Sequence, residues 1–174
     1  MKKATLFALF MLLVSAFANG QTDPFEKLNV LIGDWTGSGS GFGNDRSKIE
    51  SGFQYVMDAK YIEVINDSKF EPTTDNPQGE HHVDKGFISF DQERNLILYR
   101  QFNIEGYVNQ YVLNLSESND STLVFETEEI ENLSGGRARW TILIISDTKI
   151  ETVFDVSFGG DEFTCLGINE LERN

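Results

Sequence analysis

From residue 34 onward the chain alternates apolar and polar positions with a period of two, in short runs broken by polar turn residues. That is the pattern of half-buried β-strands, and no window beyond residue 36 carries a long helical stripe. The spacing predicts about ten strands, over residues 34–42, 48–57, 60–67, 82–90, 95–103, 107–115, 121–130, 138–146, 149–157 and 162–172. Most connections are tight and carry turn chemistry, among them Asp58-Ala59, Ser134-Gly135-Gly136 and Asp147-Thr148. EPTTDNPQGE, residues 71–80, is a longer solvated loop. Ahead of the strands, TDPFEKLNVLIG reads as one short helix ending near Gly33: Asp23 is placed to cap it, Pro24 fits its first turn, and Phe25, Leu28 and Leu31 share a face. Sequential strands with tight turns make an up-and-down sheet, and closure into a barrel removes its edges. The predicted fold is all-β: an antiparallel up-and-down β-barrel of about ten strands with a short N-terminal helix.

The first twenty residues lie outside this pattern. Lys2 and Lys3 precede an apolar run from Ala4 to Phe17 that ends in small residues, the form of a secretory signal peptide cleaved after Ala18 or Gly20. Residues 21–174 then make a single domain, exported to the periplasm or beyond, and no stable membrane insertion is expected. Cys165 is the one cysteine, so no intramolecular disulfide can form, and within TCLGI it reads as a buried, inert thiol. Acidic residues number 28 against 14 basic ones, a net charge of −14 that loss of Lys2 and Lys3 makes more negative. Such a surface repels nucleic acid and anionic membrane. The glycines of GDWTGSGSGFG, Gly37, Gly39, Gly41 and Gly43, let a strand bend or a neighbour approach closely. They are not a phosphate cradle, since no strand precedes the run and no helix follows it.

Gly33-Asp34-Trp35, set after the helix at the start of the first strand, resembles the Gly-x-Trp opening of the calycins, which include the lipocalin and fatty-acid-binding barrels. The longer phrase LIGDWTGSGSG is similar to the start of the nitrobindin-like barrels. QGEHHVDKGFISFDQERNLILYRQFNIEGYVNQYVL resembles a bacterial family of secreted or cytosolic barrel proteins of uncharacterised function, a likeness that covers most of the mature chain. The resemblance implies a calycin-like barrel. Nitrobindin-like barrels hold haem through a histidine near the end of the chain; the tail FTCLGINELERN has none, the two histidines being His81 and His82, so neither haem nor another cofactor is expected. Lipocalins tend to pack a late arginine across the opening tryptophan, which makes Arg173 and Trp35 an expected structural pair.

Residues 99–113, YRQFNIEGYVNQYVL, set Arg100, Gln101, Asn109 and Gln110 among apolar neighbours. With Glu105-Gly106 as a two-residue turn, Leu98, Arg100, Phe102 and Ile104 share a face with Tyr107, Asn109, Tyr111 and Leu113, and this more apolar face is assigned to the interior. A turn at Asp147-Thr148 likewise places Arg139, Thr141, Leu143 and Ile145 inward with Ile150, Thr152, Phe154 and Val156, and Trp140 outward. A buried guanidinium needs a partner. Two readings stay open. In one, Arg100, Arg139 and Tyr111 hold a small amphipathic or anionic apolar molecule, in the way that fatty-acid-binding barrels hold a carboxylate, with Asn109 and His82 as secondary polar groups. In the other, Arg100 pairs with an internal acid such as Glu63 or Glu126 and is architecture. A one-residue shift of register reverses the faces.

Glu80, His82 and Asp84 alternate and point one way on a strand. They are weak candidates for a divalent metal, being short of nitrogen and sulfur ligands, and for acid–base work on a bound molecule. No nucleophile motif accompanies them, so no catalytic residue is assigned. The expected function is binding of a small molecule inside an exported barrel. An enzyme built on the rim cluster and a packed structural or partner-binding barrel are the alternatives.

Overall fold

Each predicted run of alternation forms a strand in the computed structural model, which describes residues 23–174 apart from 42, 43, 75 and 161 and the side chains at 44 and 45. The expected signal peptide, residues 1–20, and Gly43 lie outside the described residues. The strands are β1 (Gly33–Gly41), β2 (Asn44–Val56), β3 (Tyr61–Phe70), β4 (Glu80–Asp91), β5 (Leu96–Phe102), β6 (Val108–Leu113), β7 (Thr122–Glu131), β8 (Gly136–Ser146), β9 (Lys149–Phe158) and β10 (Thr164–Arg173). Each pairs antiparallel with its neighbours in sequence, and β10 returns to β1 to close a ten-stranded barrel. Strands β2 and β3 run longer than alternation alone indicates because they pair out to Ser47↔Phe70.

Closure depends on the glycines of β1. A Cβ on Gly37 would lie 1.9 Å from the Glu170 carbonyl oxygen, and one on Gly41, whose φ is +123°, would lie 2.1 Å from the Leu166 carbonyl oxygen. Side chains there would hold β1 and β10 apart, so the small residues let the last strand reach the first.

The N-terminal helix is a 3-10 helix, Glu26–Leu31, rather than an α-helix, and it ends two residues before Gly33. Phe25, Leu28 and Leu31 recur every third residue, the repeat of a 3-10 turn, so the tighter winding puts all three on one line. They are 2 %, 0 % and 1 % exposed and plug one end of the barrel. Burying three such side chains contributes on the order of 5 kcal/mol. Asp23 accepts a hydrogen bond from the Phe25 N–H at 2.9 Å, which fixes the approach to the helix.

Trp35 and Arg173 fasten this plug to the barrel seam. The Trp35 indole N–H donates to the Leu31 carbonyl at 2.8 Å, and the Arg173 guanidinium carbon sits 4.2 Å from the Trp35 ring centroid. The same guanidinium donates to the carbonyls of Val30 and Ile32 and, at 2.9 Å, to that of Asp147 in the β8–β9 turn. Cys165 departs from expectation: it is exposed on β10 beside the register shift between Cys165 and Gly167, where partial desolvation and the Asp155 charge raise its thiol pKa.

Arg173→Ala removes one cation–π contact and three charge-assisted donors at the seam. It is expected to cost about 3 kcal/mol in a denaturant melt and to shift Trp35 emission in a Trp140→Phe background. Arg173→Lys recovers less than half of that loss, because an ammonium cannot lie flat on the ring while reaching three carbonyls.

Candidate functional site

The barrel interior has two halves. Toward the helix it is packed solid: Trp35, Phe53, Ile62, Tyr99, Phe125, Ile142 and Leu171 are each no more than 1 % exposed. Toward the β3–β4 and β5–β6 connections it holds a cavity of about 540 Å³. Lining residues reach solvent at that end, Phe158 being 69 % exposed, so the cavity is open. Trp140 marks the division. Its ring stacks parallel to Phe53 at 6.3 Å and meets Tyr99 and Phe125 at 5.2 and 5.7 Å, while also lining the cavity.

The cavity walls differ in character. Strands β7, β8 and β9 present Ile130, Ala138, Trp140, Phe154 and Val156. Across from them, β3 to β6 present Asn66, Ser68, His82, Asp84, Gln101 and Asn109. The polar wall continues downward into a buried network. Asn109 Nδ2 donates to Tyr111 Oη at 3.0 Å and to Gln101 Oε1 at 3.3 Å, Tyr111 Oη donates to Gln101 Oε1 at 3.3 Å, and Gln101 Nε2 reaches Asp84 Oδ2 at 3.5 Å. Tyr99 stacks on Tyr111 with centroids 5.6 Å apart. Its hydroxyl and Asp84 Oδ1 are buried without a hydrogen-bond partner. Burial raises the pKa of both tyrosines, so they stay neutral.

At the mouth the expected alternation of Glu80, His82 and Asp84 is present, all three lining the cavity while His81 turns outward to Asp67 at 3.0 Å. His82 uses both ring nitrogens: Nε2 meets Glu80, and Nδ1 meets Glu105 of the β5–β6 loop at 2.6 Å. Burial opposes charge on this imidazole, but the bonds and charges of Glu80 and Glu105 outweigh it and raise its pKa. Asp84 has the opposite problem. Burial first and the Glu105 charge second push its pKa up to about 6, against weaker pulls from the Ile104 backbone N–H and His82. Among the described residues no lysine or arginine lines the cavity, and no cluster of His, Cys, Asp and Glu has the geometry of a metal site.

Arg100 and Arg139 are not in the interior, and each displacement has a one-residue cause. The β5–β6 loop holds three residues, Ile104-Glu105-Gly106, closed by Asn103 N–H to the Tyr107 carbonyl at 3.0 Å with Gly106 at φ +90°. This turn-plus-glycine arrangement pairs Phe102 with Val108 and Arg100 with Gln110. Asn109, Tyr111 and Leu113 face inward as expected, but β5 flips: Tyr99 and Gln101 go in, and Arg100 goes out, its Nε 3.4 Å from Gln110 Oε1. In β8 the turn at Asp147-Thr148 forms, but a bulge shifts the register between Ile144 and Ser146. Trp140 therefore points inward and Arg139 outward, where it bonds Glu126 at 2.6 and 2.9 Å and lies 4.3 Å over the Phe163 ring. Glu126 is thus an external partner of Arg139, and Glu63 pairs with Lys85 at 2.9 Å. Sequence reasoning missed Tyr99 and Glu105, and it placed Gln101 inside only under the reversed register. The signal was the glycine at the third loop position, which marks the three-residue turn.

No protein-family model matches the chain, and no curated protein matches it. Among solved structures the chain is similar to Rv2717c from M. tuberculosis, with 15 % identity and a TM-score of 0.62 over 87 % of this chain and 97 % of that one. A redesigned β-barrel, mFAP1, bound to DFHBI, aligns with 14 % identity and a TM-score of 0.43 over 83 % of this chain and 95 % of that one. The first likeness shows a shared barrel fold.

The Asp84 carboxyl makes a pH-dependent prediction. Its pKa is about 6 in the folded chain against 3.8 when free, so over that interval the folded state holds a proton that the unfolded state has released. Stability associated with this group is full below the interval and falls as pH rises through it, by on the order of 2 kcal/mol after allowance for partial exposure. Asp84→Asn is expected to be more stable than the parent by about that amount in denaturant melts near pH 8, and to match it near pH 3.5.

Proposed function

We propose that this chain is an exported, calycin-class carrier that takes a small amphipathic molecule into the open half of its barrel. The observation that supports this reading is the cavity of about 540 Å³ with a mainly apolar wall and a mainly hydrogen-bonding one. A packed structural barrel would fill that space, as the helix end does. The anchors are then Asn109, Gln101, Asp84 and His82 on the polar side and Trp140 and Phe154 on the apolar side. Arg100 and Arg139 have no place in it, and with them goes the reason to expect an anionic head. Haem does not suit these residues: His82 has both nitrogens engaged by acids, and the inward positions Asn169 and Leu171 of β10 supply no histidine.

A second reading draws on Asp84, whose raised pKa beside His82 places two proton-exchanging groups at the cavity wall. Acid–base chemistry on the bound molecule would follow. Turnover abolished by both His82→Gln and Asp84→Asn, with binding retained, would favour it over a passive carrier.

Native mass spectrometry of protein purified without detergent tests the carrier reading. A retained small organic mass is expected in the parent and equally in Arg100→Met, and its occupancy should fall at least about tenfold in Ala138→Phe, which fills the cavity from a residue 1 % exposed. A clean apo mass, together with no uptake of a neutral solvatochromic dye, would overturn it.

A further inference from the structure

We propose that the molecule taken by this cavity carries a cationic, hydrogen-bond-donating head, a primary or secondary ammonium on an apolar body, and that Asp84 receives it. This deepens the carrier reading and rests on it. Four acidic or imidazole side chains line the cavity: Glu80, His82, Asp84 and Glu105. His82 is consumed by the two glutamates, one on each ring nitrogen. Asp84 has a bond from the Ile104 backbone N–H, one long bond from Gln101, and one oxygen that is buried without a partner. No lysine or arginine among the described lining residues answers it, and the pull of His82 is outweighed by burial and the Glu105 charge.

Tyr99 supplies an independent pointer. It is 0 % exposed, its ring lies across Gly86, where a Cβ would come within 2.8 Å of Tyr99 Cε2, and Gly86 is two residues from Asp84 on the same face of β4. Its hydroxyl lies near enough to feel the Asp84 charge, and it too has no partner. Asp84 Oδ1 and Tyr99 Oη are thus two buried polar atoms without partners, the first on a residue that lines the open cavity. One is an acceptor that cannot donate when ionised, and the other both donates and accepts. An ammonium offers several N–H donors and a charge to Asp84, whereas a carboxylate would add a like charge to Asp84, Glu80 and Glu105. Trp140 and Phe154, on the facing wall, give the apolar body and the edge of the cation a surface to lie on.

The probes are decylamine, decan-1-ol and decanoate, titrated calorimetrically into the mature protein at about 0.15 M salt and neutral pH. The amine should bind about tenfold tighter than the alcohol and the decanoate weakest. Asp84→Asn should erase the amine's advantage and leave the alcohol unchanged, with a cooperative melt to show that it is folded. Asp120→Asn, which removes the same charge from a fully exposed site, should keep the advantage and so separates the cavity from the general acidity of the surface. Alcohol binding as tight as the amine, decanoate binding tightest, or an amine advantage that survives Asp84→Asn would each overturn the cationic head while leaving a carrier in place. If none of the three binds, the carrier reading fails and this inference with it.

Discussion

The meeting of β1 with β10 is the constraint on which the rest depends. An open ten-stranded sheet would present two unpaired edges and a twisted apolar face. Closure removes the edges and makes one interior. It requires the last strand to lie against the backbone of the first at Gly37 and Gly41, where even a methyl group would strike a carbonyl. Arg173, pinned over Trp35 and bonded to the carbonyls of Val30, Ile32 and Asp147, then joins the seam, the helical plug and the β8–β9 turn through one side chain. The plug and the seam are therefore one structure. A loss at either is felt at the end of the barrel that is packed, and not first at the end that is open.

That separation allows the open half to carry unfavourable chemistry. A buried carboxylate with its pKa near 6 and a tyrosine hydroxyl without a partner both lower stability. The packed half, with aromatic rings closing around Trp140 and three apolar residues of the 3-10 helix behind them, offsets such costs. A wall of leucines at Asp84 and Gln101 would be more stable. Polar groups kept at a stability cost and facing a cavity are the usual mark of a site that is completed by something else.

The architecture was legible in the sequence because period-two alternation survives small errors of boundary: all ten strands, the long loop and the single domain-sized sheet follow from it. Orientation was not, because it is decided one residue at a time. In each of the two hairpins one strand faced as expected and its partner was reversed, once by a third loop residue ending in Gly106 and once by the bulge near Ile145. Local composition held a correction in the second case. In RARWTILI the charged positions 137 and 139 alternate with Ala138, Trp140 and Ile142, and burial of a tryptophan is far cheaper than burial of two guanidiniums. The presumed turn outweighed that pattern. Tyr99 was hidden for a different reason: its partner gap is a matter of where its ring lies over Gly86, which no spacing records.

The flip of Arg100 and Arg139 reverses the chemistry of the interior as well as its map. With two arginines inside, the barrel would have been a cationic pocket in an acidic protein, a device for anions. With both outside and satisfied by Gln110 and by Glu126 and Phe163, the acidic character of the chain continues into the cavity. His82 does not reverse it, because Glu80 and Glu105 enclose the imidazole and tie the β5–β6 loop to β4. One residue thus closes the rim and is used up in doing so, which leaves Asp84, two residues deeper on the same strand, with a carboxylate oxygen that has no partner.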